Sequence, residues 1–131
     1  MEKTMKYYAK LVAIDPYIEE QATFDFGQYQ LCCFINSSAC ALNQGNIYLL
    51  ELNLCFIDKI KPELSGDKHF SIMQQADTFV HHINGYLFEN RLILSNLVFQ
   101  DDLFYDFAYL SGDFIKFSVD RLSIDILNNI F

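Results

Sequence analysis

The chain has 131 residues, 52% of them hydrophobic and 20% charged. That length suits a single β-rich domain over residues 1–131, and that balance excludes a disordered tail. Seventeen acids against nine lysines and arginines leave a formal charge of −8. Such a surface repels phosphates, which disfavours a nucleic-acid role and suits a basic protein partner.

Aromatic residues reach 16%, with 13 Phe, 8 Tyr and no Trp, a bias towards strands. The start is polar and charged, without the ordered regions of a secretory signal, and no apolar run approaches the ~20 residues of a membrane span. A cytoplasmic domain without membrane contact is expected. Cys32, Cys33, Cys40 and Cys55 follow no disulfide-scaffold spacing, so reduced thiols are expected.

Met1 to Lys6 is a polar lead-in. Tyr7 to Ile14 reads as a strand, stopped at Asp15-Pro16 because proline removes a backbone donor. Glu19 to Gln21 is a solvated loop or a helical turn. Phe24 to Ile35 reads as a second strand region, with Gly27 as a bulge or turn. Its centre, Leu31 to Ile35, is apolar on both faces and should be covered on both sides. Asn36 to Asn46, rich in Asn and Ser, is a loop.

Ile47 to Phe56 alternates cleanly. Tyr48, Leu50, Leu52, Leu54 and Phe56 share one face, so that face is core. Lys59 to Lys68, with Pro62 and Gly66, is the main connecting loop. Met73 to Ala76 suits a short helix. Thr78 to Phe88 is a strand interrupted at Gly85, and Arg91 to Phe99 is the next, after a turn at Glu89-Asn90. Leu103 to Leu110 fits neither period. Ser111-Gly112-Asp113 is a turn. From Phe114 to Leu127 the apolar phase slips at Asp120-Arg121, as when a strand passes from one sheet to another. Arg121 is expected in a structural ion pair.

The expected fold is therefore mainly β, antiparallel, barrel-like or sandwich, with one or two short helices. The rhythm His82-Ile83-Asn84-Gly85-Tyr86-Leu87, Leu92-Ile93-Leu94, Leu110 to Ile115 and Val119 to Leu122 resembles small β-barrels, the oligonucleotide-binding barrel being the nearest type.

No chemistry-bearing spacing emerges. The zinc patterns C-x-x-C and H-x-x-x-H do not occur, and Cys32-Cys33 and His81-His82 are adjacent pairs whose side chains point to opposite faces of a strand. There is no G-x-S-x-G elbow, G-x-G-x-x-G loop or G-K-[ST] motif. No catalytic residue, metal or cofactor is expected, and the chain reads as a binding module, not an enzyme. A small-ligand barrel with an apolar cavity is the alternative.

The binding segment is Asp101 to Asp113. Carboxylates at Asp101, Asp102, Asp106 and Asp113 alternate there with aromatics that include Tyr105 and Tyr109. A buried strand would not hold so many charges, and a solvated loop would not need so many rings. The tyrosines are expected as anchors and the aspartates as steering charges. In size, acidity and aromatic content the chain resembles small acidic bacterial immunity proteins that neutralise polymorphic or contact-dependent toxins. That resemblance implies tight binding to a basic nuclease or other toxin domain.

Overall fold

The structure, a computed structural model, describes residues 5–131; the first four residues of the polar lead-in lie outside it. Eleven strands follow in chain order. They are β1 (Lys6–Ile14), β2 (Gln21–Asp25), β3 (Gln30–Ser38), β4 (Ile47–Cys55), β5 (Glu63–Leu64), β6 (Ser71–Gln74), β7 (His81–Phe88), β8 (Arg91–Leu94), β9 (Leu97–Gln100), β10 (Asp113–Val119) and β11 (Arg121–Asn129). A 3-10 helix, Asp102–Leu110, stands between β9 and β10. The fold is mainly β with one short helix.

The strands form two sheets. The first closes on itself in the order β1-β2-β3-β11-β4. Every pairing in it is antiparallel except β3 with β11. The second runs β5-β10-β7-β8-β9, with β6 on the free half of the β7 edge. It is inserted in the chain between β4 and β11, so the ring closes only when the last strand arrives.

The slip at Asp120-Arg121 is the passage between the two sheets: β10 ends at Val119 in the second, and β11 begins at Arg121 in the first. Both phases are buried, Ile115, Phe117 and Val119 before the slip and Leu122, Ile124 and Ile126 after it. One continuous apolar cluster joins the sheets, from Leu11, Phe24, Tyr48 and Leu50 in the ring to Leu87, Leu92, Leu97 and Phe104 beyond it. Tyr7 fastens them from the ring side. Its hydroxyl donates to the Val98 carbonyl at 2.9 Å and accepts from the Val98 N–H at 2.6 Å. This occupies both polar groups of that residue on edge strand β9, a device against strand pairing with other chains.

Several elements differ from the sequence reading. Phe24 to Ile35 is a hairpin of β2 and β3, turning at Gly27 in the left-handed region (φ 99°). Met73 to Ala76 is not helical: Ser71–Gln74 is strand β6, in register with His81 to Asn84. Cross-strand pairing overrides a weak helical propensity there. Arg91 to Phe99 is two strands, split by a tight turn at Ser95-Asn96 with Ser95 at φ 54°. Strand β7 is unbroken. Gly85 serves it by close approach, since a Cβ there would lie 2.9 Å from the Ile93 carbonyl oxygen. Arg121 makes no ion pair among the described residues; its guanidinium lies 4.4 Å above the Phe34 ring.

The barrel-like rhythm of residues 82–122 falls mostly in the inserted sheet. The closed ring is built from β1 to β4 and β11, with five strands, as in barrels of the oligonucleotide-binding type. Such barrels bind through the outer face of their second and third strands. Here that face is covered at β3. Phe79 packs edge-on against Phe34 with centroids 5.7 Å apart, and Cys32 is buried. The double apolar face of Leu31 to Ile35 is thereby explained: Leu31 and Cys33 point into the ring, and Cys32 and Phe34 lie beneath the insertion. All four cysteines are free, and burial pushes the Cys33 thiol far up from its ordinary pKa.

Candidate functional site

The acidic-aromatic segment folds as the 3-10 helix. Asp101 caps it: extended at φ −152° and ψ 131°, its side chain accepts the Leu103 N–H at 3.0 Å. Phe104 and Leu110 are buried, and Phe104 meets Phe117 of β10 with centroids 6.1 Å apart. A kink at Phe107 lets Phe107 and Leu103 pack against the core as well. The β7–β8 turn holds both ends. Asp101 N–H donates to the Asn90 carbonyl at 3.0 Å, Asp102 accepts from the Asn90 amide at 3.2 Å, and the Ser111 hydroxyl accepts the Glu89 N–H at 2.9 Å.

With those residues turned inward, the opposite face turns to solvent. Tyr105 is 55% exposed and Tyr109 76%, and Phe88 at the end of β7 is half exposed. Asp102, Asp106 and Asp113 are exposed, while Asp101 is half-buried by its capping role. In a 3-10 helix residues three apart eclipse, so Asp102 stands in line with Tyr105, while the kink at Phe107 separates Asp106 from Tyr109. The structure thus brings all six expected residues together on one helix and its ends. It divides their duties: Asp101 and Asp102 serve the fold, while Asp106 and Asp113 make no side-chain hydrogen bond or ion pair among the described residues.

A second feature lies at the other end of the β7–β10 pair. Asp113 is in register with Leu87 near the helix, whereas Ser118 is in register with His82 far from it. Over that far end is a cleft of about 720 Å³, walled by the segment from Phe56 to Asp67 and by Ser71 and Met73 of β6. Ser118 and His82 form part of its floor, Oγ to Nδ1 at 2.8 Å, and His82 Nε2 lies 3.2 Å from Gln75 Oε1. Asn84, buried on the same outer face, holds the wall in place. Its Nδ2 donates to the carbonyls of Asp67 (2.9 Å) and His69 (2.7 Å), and its Oδ1 accepts from the Ser65 hydroxyl.

A family model described as "Uncharacterised conserved protein UCP019853" matches residues 5–127. The chain belongs to that family. No curated protein and no solved structure matches it. The family's span begins before β1 and ends within β11, so it takes in both the helix surface and the cleft.

The cleft is what the sequence reading missed. Lys59 and Lys61 fall in the connecting loop and His82 in a strand, and nothing in their spacing announces that β10 carries Lys116 and Ser118 beneath them. The available signal was composition: two of the nine lysines and arginines of an acidic chain fall within three positions. The ring interior, the other place considered for a ligand, is occupied by Phe24, Tyr48, Leu11, Leu50 and Leu122, all fully buried.

Proposed function

We propose that this domain is a protein-binding module, an immunity or inhibitor protein that neutralises a basic toxin or nuclease domain through the face of its 3-10 helix. The observation that supports this reading is the outward pairing of exposed Tyr105 and Tyr109 with carboxylates, of which Asp106 and Asp113 have no internal partner among the described residues. Tyrosine brings a large contact area at little entropic cost, and interface hot spots favour it. Carboxylates at the rim accelerate encounter with a positive surface, and the chain's −8 charge acts in the same direction at longer range. The helix is held to the β7–β8 turn by hydrogen bonds at both ends, so the surface is formed before binding.

The test begins with affinity capture from the source cell and continues with binding kinetics on the captured, purified partner. Asp106→Lys with Asp113→Lys should slow association at low salt and leave dissociation unchanged. Tyr105→Ala with Tyr109→Ala should speed dissociation by a factor of about 30, the size of a hot-spot loss of about 2 kcal/mol. The same partner should have a toxic or nucleolytic activity that an equimolar amount of this protein abolishes. Wild-type kinetics for both double variants would remove this surface from consideration.

A further inference from the structure

The floor of the cleft is a row of side chains laid across three strands. Met73 of β6 is in register with His82 of β7, and His82 with Ser118 of β10. Residues directly opposite in antiparallel strands share a face, so all three line the cleft. Gln75, just beyond β6, completes the row, its Oε1 3.2 Å from His82 Nε2. The backbone of Gln75 is itself fixed. Its N–H donates to the Val80 carbonyl at 2.8 Å, and its carbonyl accepts from the N–H of Thr78 (3.1 Å) and from the Thr78 hydroxyl (2.8 Å). The wall above is held by Asn84, so Ser118 and His82 have no share in holding it.

These contacts decide where the imidazole of His82 carries its proton. An amide oxygen only accepts, so Nε2 holds the hydrogen and donates it to Gln75. In the neutral ring Nδ1 then has a free lone pair, and the Ser118 hydroxyl, 2.8 Å away, donates to it. A hydroxyl aimed at a basic nitrogen whose tautomer is set by a third group is the arrangement of an activated nucleophile. Ser118 and His82 are both exposed, so a molecule in the cleft meets them directly. Lys116 lies two residues before Ser118 on the same face, about 7 Å along the strand, so its ammonium is within side-chain reach of a negative oxygen formed over Ser118. The charges of the lining stand side by side, Glu63 in register with Lys116, and so favour neither sign of substrate. Met73, two-thirds exposed, offers an apolar contact beside His82.

We infer that this cleft is a hydrolytic site for small uncharged carboxylic esters, with Ser118 as nucleophile, His82 as base and Gln75 as the positioning residue. Ser118 Oγ bonds to the ester carbonyl carbon and passes its proton to His82 Nδ1. The carbon–alkoxy bond then breaks, and the leaving oxygen takes that proton, which frees the alcohol and leaves an acyl group on Ser118. Water adds to the acyl carbon as His82 Nδ1 accepts its proton. The acyl–Oγ bond breaks, the carboxylic acid departs, and the proton returns to Ser118. The site is independent of the helix surface, since the two lie at opposite ends of the β7–β10 register.

The experiment treats the full chain with an alkyl fluorophosphonate, maps the adduct by mass spectrometry, and follows release of nitrophenolate from p-nitrophenyl acetate and butyrate. An adduct should form at Ser118 with loss of fluoride, and both esters should be hydrolysed faster than in buffer. Ser118→Ala should abolish both reactions. His82→Leu should slow them at least about a hundredfold, the lower end for a general base. Gln75→Leu should slow them about tenfold, and Gln75→Glu, which restores an acceptor at the same point, should recover the rate. All three side chains are exposed, so these variants should fold, and unchanged circular dichroism is the check. Asp106→Lys, on the helix, should react as the wild type does. No adduct, or an adduct only at residues other than Ser118, would overturn the inference. So would ester hydrolysis that Ser118→Ala retains, or rates that His82→Leu leaves unchanged.

Discussion

His81 and His82 are neighbours in sequence, and the pleat of β7 gives them opposite fates. His82 lies in the cleft, hydrogen-bonded to Ser118. His81 is 1% exposed, with Nδ1 at 2.8 Å from the Phe79 carbonyl and Nε2 buried without a partner among the described residues. Burial pushes the His81 pKa below the ordinary 6.5; the Phe79 carbonyl pulls the other way, and His82 adds a small repulsion. The folded state therefore favours neutral His81. As pH falls, the unfolded chain takes up this proton first, so stability is full above 6.5 and is lost as pH drops towards the folded value. Urea midpoints measured from neutral to mildly acidic pH should decline for the wild type across that window. His81→Gln and His81→Leu should flatten the decline, and unchanged pH dependence in both would refute the assignment. The opposite facing of the two histidines was legible from adjacency alone. Which one would be buried was not, because that depends on which face of β7 meets the ring.

At the scale of elements, the 3-10 helix separates two roles that the sequence had merged. All four aspartates of residues 101–113 looked like steering charges, but Asp101 holds the helix N-terminus through the Leu103 N–H. Asp101→Ala should cost about 1 kcal/mol of stability, the usual value of a cap, while Asp106→Ala should cost almost nothing. Equal urea midpoints for the two variants would show that the cap contributes nothing. This is also why charge reversal for binding studies belongs at Asp106 and Asp113. The helix resisted reading because aromatics lie on both its faces, Phe104 and Phe107 inward and Tyr105 and Tyr109 outward, which blurs the apolar period. The split of Arg91 to Phe99 failed differently: Ser95-Asn96 is a turn signal, and the long apolar run around it masked it. Strand β4, with its clean alternation, was read almost to its ends because its periodicity is itself the record of one buried face.

At the scale of the whole molecule, the order of the chain makes β11 decisive. The ring opens with β1 to β4, leaves for the inserted sheet, and is completed only by β11, which pairs in parallel with β3 and antiparallel with β4. Lys59 to Lys68 reads as the main connecting loop, but a cut there would separate β11 from the strands on both its sides. The phase slip at Asp120-Arg121 carried this information in the sequence; the distance over which the chain returns did not. β11 also supplies Leu122, Ile124 and Ile126, each fully buried in the shared core. At about 2 kcal/mol per buried aliphatic side chain, their loss alone removes about 6 kcal/mol, comparable with the whole stability of an ordinary domain. Without β11, moreover, β3 and β4 each face solvent with an unpaired edge. A chain ending at Asp120 should therefore show no cooperative thermal transition and should lose its near-ultraviolet circular dichroism in both sheets, because one core serves both. Ile124→Ala in the full chain is the graded version. It should lower stability by about 3 kcal/mol and keep a single transition. A truncated chain that still unfolded cooperatively would mean that the inserted sheet folds on its own and that the shared core does not couple the two sheets.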